Sequence, residues 1–64
     1  MKNISWRKLQ AVLNQLTEDE VLAMLEEERQ GARRASILER LHMRYNILRV
    51  SRERIEIMKE AIAP

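Results

Sequence analysis

Apolar side chains recur every three or four residues along most of the chain, and no segment alternates strictly between apolar and polar. Trp6, Leu9, Leu13 and Leu16, with Val12 adjoining, form one face of a short helix. Ser5 stands where its hydroxyl can accept from a free first-turn amide. Ile4 before it and Leu9 after it occupy the two positions of a hydrophobic staple. A second start follows at once. Thr17-Glu18-Asp19-Glu20 fits a capping box, with Leu16 and Val21 as its staple. Its three acids suit the positive end of a helix dipole. Val21, Leu22, Met24 and Leu25 give this helix an apolar side.

Gly31 is the only internal breaker, and it suits the end of a helix, where a positive φ costs glycine little. Ser36-x-x-Glu39 could open the next helix as a further capping box. One helix running straight through Gly31 is the alternative, at a cost of about 1 kcal/mol. A hairpin buries more surface, so a break within residues 31–36 is expected. From Ser36 to Ile62 nothing interrupts a helix. The chain therefore reads as one all-α domain, residues 1–64, with helices over about 6–16, 18–30 and 36–62, the last folded back as a helical hairpin.

The long helix carries two apolar stripes about 150° apart, at 100° per residue. One is Leu38, Leu41, Tyr45, Leu48, Ile55 and Ile62, a heptad-like seam with Arg52 and Lys59 at the skipped positions. The other is Met43, Ile47, Val50, Ile57 and Ala61, interrupted by Arg54. Two short helices can cover one stripe only. The cleaner heptad spacing assigns Leu38, Leu41, Tyr45, Leu48 and Ile55 to a coiled-coil seam between chains. Met43, Ile47, Val50 and Ile57 are then expected to pack on the first two helices. Arg52 and Lys59 within the seam would limit assembly, most simply to a dimer with acids of the other chain nearby.

Composition strengthens the case for assembly. A core built from 64 residues rarely supplies more than about 3–5 kcal/mol without a staple. With no cysteine, neither a disulfide nor a thiolate metal site can provide one. There is one Gly, one Pro and no Phe, and nothing reads as a strand, so a β-sandwich or barrel is excluded. No segment nears the roughly 20 apolar residues of a membrane span, nor has the apolar run of a signal peptide. A soluble, intracellular protein with no membrane partner is expected.

Net charge is only +2, but the charges are segregated. Residues 1–16 carry three bases and no acid, whereas residues 17–28 carry six acids and no base. Residues 29–54 hold eight Arg against Glu39 and Glu53. Such segments can pair with each other, or the Arg-rich part can meet phosphate. Arg33, Arg40 and Arg44 share one flank of the long helix and are the candidate phosphate-binding residues. Against a dedicated nucleic-acid helix, Arg34, Arg49, Arg52 and Arg54 scatter over other sides, and Arg49–Glu53 and Arg52–Glu56 are i,i+4 pairs. The order of the second helix, Gly31 and the third suits a helix-turn-helix, but the third is far longer than a recognition helix needs.

No catalytic constellation emerges, and no enzymatic activity or cofactor is expected. His42 is the only histidine, and Ser5, Ser36 and Ser51 lie in no recognisable nucleophile motif. Glu39-x-x-His42 matches the unit that holds di-iron centres in helix bundles, and Glu26, Glu27 or Glu28 could complete a ligand set. Those ligands must point into a bundle, and Glu39 and His42 fall on the most polar stripe. No metal site is therefore expected.

The stretch from Leu16 to Met58 resembles a group of small uncharacterised helical proteins encoded by tailed bacteriophages. The resemblance lies in Leu16-Thr17-Glu18, in Glu26-Glu27-Glu28 before Gly31-Ala32-Arg33-Arg34, and in Leu41-His42-x-Arg44-Tyr45, Leu48-Arg49 and Arg52-Glu53-Arg54-x-Glu56. It covers about two thirds of the chain. It implies a place in the bacterial host cytoplasm or in the virion, and carries no functional residues with it. The expected role is non-catalytic: self-association and then contact with a protein partner. An Arg-dependent nucleic-acid-binding regulator is the alternative.

Overall fold

In a computed structural model of the chain, residues 4–62 are described. Helix α1 spans Trp6–Val12 and tightens into a 3-10 turn over Leu13–Gln15. Helix α2 spans Glu18–Gln30 and helix α3 spans Ala35–Ile62, with no strand among the described residues. The fold is all-α, two short helices and one long one, with α2 and α3 forming the hairpin.

Local chemistry sets each start. The Ser5 hydroxyl accepts from the Lys8 amide at 3.2 Å, and the stapling pair Ile4 and Leu9 is buried. The capping box of α2 is complete. The Thr17 hydroxyl accepts from the Glu20 amide at 3.2 Å, and Glu20 Oε1 accepts from the Thr17 amide at 2.8 Å. Leu16 and Thr17 must be extended to enter this cap, which is why α1 ends in a 3-10 turn rather than running to residue 16. Thr17→Ala is expected to lower stability by about 1 kcal/mol, read from the urea midpoint at unchanged m-value.

The chain breaks after Gln30, but not by the expected device. Gly31 has φ −109°, and the left-handed residue is Arg33, at φ 54°. That conformation costs a non-glycine residue about 1–2 kcal/mol. Two bonds offset it: the Arg33 amide donates to Glu28 O at 3.0 Å, and Arg33 Nε donates to Arg29 O at 3.1 Å. Both satisfy carbonyls left open at the helix end. Gly31 is needed for space, because a Cβ there would stand 3.2 Å from Glu27 O. Ser36 is not the cap of α3, since it lies inside the first turn. The first helical bond runs from the Leu38 amide to Arg34 O.

The core is Ile4, Leu9, Leu13, Val21, Leu25, Ile37 and Leu41, with Val12, Leu16, Met24, Leu38, Tyr45 and Leu48 packed around it. This reverses the expected use of the two stripes of α3. Leu41 is 1% exposed, and Leu38, Tyr45 and Leu48 pack within the chain rather than waiting for another. Met43, Ile47, Val50 and Ile57, expected to cover the short helices, are about half exposed or more. Of the five seam residues expected between chains, Ile55 alone stays mainly exposed, at 57%.

Charge explains the choice of face. Arg34 and Arg52 are separated by eighteen residues, or five helical turns, and so stand in line along α3 beside Leu41, Tyr45 and Leu48. Each meets an acid near one end of α2: Arg34 meets Glu28 and Arg52 meets Glu18. Two acids on α2 thus grip the leucine side of α3 at both ends. The Met43–Ile57 stripe has no such pair of partners. The acid expected from another chain beside Arg52 is the chain's own Glu18.

Candidate functional site

The site is an outer surface of α3, and its geometry follows from unequal helix lengths. Helix α2 has 13 residues and α3 has 28, about 42 Å at 1.5 Å per residue. The Arg52–Glu18 contact marks where α2 begins alongside α3. Beyond it, every residue from Arg54 to Ile62 is exposed. The last turns of α3 therefore extend past the body as a bare helical arm carrying Ile55, Ile57, Met58 and Ile62.

The arm continues a stripe that starts on the body. Met43, Ile47, Val50, Arg54 and Ile57 are spaced four, three, four and three residues apart, which keeps them on one side of the helix. Ile47 is 52% exposed and Val50 is 47% exposed, so neither is a core residue of this chain. Asn46, Ile47, Val50, Ser51 and Arg54 line a shallow groove of about 350 Å³ on this side. Ile47 and Val50 give it apolar lining, and Arg54 is its one charged residue. Among the described residues no carboxylate lies within ion-pairing distance of Arg54.

The Arg residues fall into two sets. The first is neutralised within the chain. Arg34 Nε and Nη2 donate to the two Glu28 carboxylate oxygens at 2.9 and 2.8 Å, and the Arg34 amide donates to Glu28 Oε2 at 2.9 Å. These bonds push the buried Glu28 carboxyl down to about 2 from 4.5, the guanidinium contributing most and burial opposing it. Arg52 forks onto Glu18 at 2.8 and 3.2 Å and also donates to Glu56 at 2.9 Å, which raises its own pKa. Arg29 pairs with Glu26, and Arg49 with Glu53.

The second set contains the three candidate phosphate-binding residues. Arg33 is committed to a backbone carbonyl through Nε, as described above. Arg40 Nε donates to Gln10 Oε1 of α1 at 2.8 Å. Arg44 is half-buried, and its Nε is enclosed without a hydrogen-bond partner. Leaving such a donor unpaired costs about 1–3 kcal/mol. None of the three has a carboxylate within ion-pairing distance among the described residues. The sequence places these three on one flank but gives no sign that Gln10 fixes Arg40.

Glu39 and His42 are exposed, and His42 Nδ1 lies 3.5 Å from Asn46 Nδ2. They border a shallow groove with Leu25, Arg29 and Leu38. Among the described residues no three acidic or imidazole groups converge as metal ligands would. Likewise, no described helix is long and apolar enough to cross a membrane.

Comparison with known proteins finds no matching family model, no matching curated protein and no matching solved structure.

Proposed function

We propose that this chain is a non-catalytic association module, joining first to a second copy of itself and then to a protein partner. The observation that carries this reading is the uncovered Met43–Ile47–Val50–Ile57 stripe on a helix that outruns its own hairpin. A second copy is the occupant favoured by the four-three spacing, which lets the same stripe interdigitate with itself. A two-fold dimer needs one self-complementary surface and nothing else. It would also add buried area to a core too small to be robust alone. The interface differs from the one the heptad spacing suggests: it uses the Met43–Ile57 side, because the leucine side is already spent. In the phage setting that the resemblance implies, such a module serves as an accessory or virion-associated factor in the host cytoplasm or the particle.

Light-scattering mass across a concentration series tests this. Wild type is expected to be a dimer at micromolar concentration. Val50→Asp/Ile57→Asp is expected to be a monomer that keeps its helical signal, because both residues lie outside the core. Arg54→Leu is expected to tighten the dimer, since a charged residue in an apolar seam costs stability. A wild-type chain that stays monomeric and cooperatively folded throughout the series overturns the reading.

A further inference from the structure

We infer that the flank where α1 meets the first half of α3 binds the phosphate backbone of nucleic acid. Arg40 stands seven residues before Ile47, at the near end of the apolar stripe, and Arg44 stands off it; the inference does not require self-association, and the mass measured below separates the two. It begins with where the fold has used its acids. Glu18, Glu26, Glu28, Glu53 and Glu56 neutralise Arg52, Arg29, Arg34 and Arg49. Arg7 and Lys8 on α1, Arg33 in the left-handed turn before α3, where helical spacing no longer sets its face, and Arg40 and Arg44 in the first turns of α3 have no carboxylate within ion-pairing distance among the described residues. Five cations are thus left without an acidic partner among the described residues, and the Gln10–Arg40 bond ties α1 to the part of α3 that carries two of them.

Two of them are also positioned. The Gln10 side chain holds Arg40 by Nε at 2.8 Å, which fixes the guanidinium plane and leaves both Nη groups without a partner among the described residues. A guanidinium held in this way can offer two parallel donors to one phosphate. Arg44 stands one turn further along the same flank, its Nε enclosed and unpartnered, so its charge too is unspent. Arg7 lies one turn before Gln10 on α1, which extends the line of charge across the junction.

An acidic protein surface would also attract these groups. Trp6 tips the choice toward nucleic acid. It begins α1 next to Arg7, one turn before Gln10, and is 45% exposed. An exposed aromatic on the helix that carries Arg7 and Gln10 is a platform for an unpaired base, and it offers little to a carboxylate. Phosphate contacts alone carry no sequence information, so the surface binds without strong base preference.

Fluorescence anisotropy with labelled mixed-sequence duplex DNA and single-stranded RNA, titrated with the full chain at several salt concentrations, tests the inference. Binding is expected at 50 mM salt, with log K falling by about 0.9 per duplex phosphate and about 0.7 per single-strand phosphate for each unit of log[salt]. Arg40→Ala/Arg44→Ala is expected to weaken binding at least tenfold and to reduce the duplex slope by about 1.8. Arg49→Ala/Lys59→Ala removes the same net charge from farther along α3, outside the Met43–Ile57 stripe, and is expected to change affinity less than threefold. Circular dichroism and mass of both variants should match wild type. Three outcomes overturn the inference: no salt-dependent binding, equal losses in the two variants, or displacement of nucleic acid by polyglutamate at an equal concentration of charges.

Discussion

Leu41→Asp is expected to abolish folding of the protomer. Leu41 is 1% exposed and belongs to the buried cluster to which all three helices contribute. Truncating a buried leucine to alanine already costs about 2–5 kcal/mol. An ionised carboxylate in the same place adds a desolvation penalty with no cation to meet it. A core of this size has about 3–5 kcal/mol in total, so the variant should lose its far-UV helical signal at 25 °C without denaturant. Ile47→Asp is the matched control. It puts the same charge on the outer stripe of the same helix, where the side chain is half exposed. Its effect on the protomer should be within about 0.5 kcal/mol, as for an ordinary surface substitution. The reverse result, with Ile47→Asp unfolded and Leu41→Asp folded, would mean that the leucine stripe is the outer face after all.

Glu28→Gln is expected to cost about 2–3 kcal/mol at neutral pH, the second largest single loss. Glu28 accepts three bonds from Arg34, two from the guanidinium and one from the amide that precedes α3. The one carboxylate therefore closes the α2–α3 turn electrostatically and caps an open donor at the start of the long helix. Because its carboxyl titrates near 2 in the fold and near 4.5 when the chain is open, the contribution is complete above about pH 5. It fades as pH falls through the window between those values, where the open chain's carboxyl takes up a proton that the folded one still refuses. The stability gap between wild type and Glu28→Gln should thus narrow from pH 5 to pH 2 and close at about pH 2. Urea denaturation across that range measures it, and a gap that stays constant with pH would show that the carboxylate charge is not what holds the turn.

The parts of this fold legible in the sequence are those decided within a few residues. Thr17 and Glu20 form their reciprocal cap, and Ile4 and Leu9 their staple, because both partners are three to five positions apart and any helix starting there must bring them together. The hairpin break was readable for a similar reason, since a lone glycine after a long polar run is a weak point in any helix. Its details were not. The strained position is Arg33, and Ser36 is not a cap, because Glu28 reaches across six residues to hold the turn in another way.

That α3 has two apolar stripes, of which the chain can cover only one, is already written in the order of its residues. Periodicity fixes which residues share a stripe, since this depends only on 100° per residue. Which stripe faces inward is settled by how the helices pack. Both are apolar enough, and heptad regularity favours the leucine side for either role. The balance was tipped by two ion pairs spanning 6 and 34 residues, Arg34–Glu28 and Arg52–Glu18, which hold that side against α2 at both ends. The same long-range pairing separated the spent arginines from the unspent ones. Arg52 found its acid because α2 folds back beside it, and Arg40 found only a glutamine because α1 brings no carboxylate there.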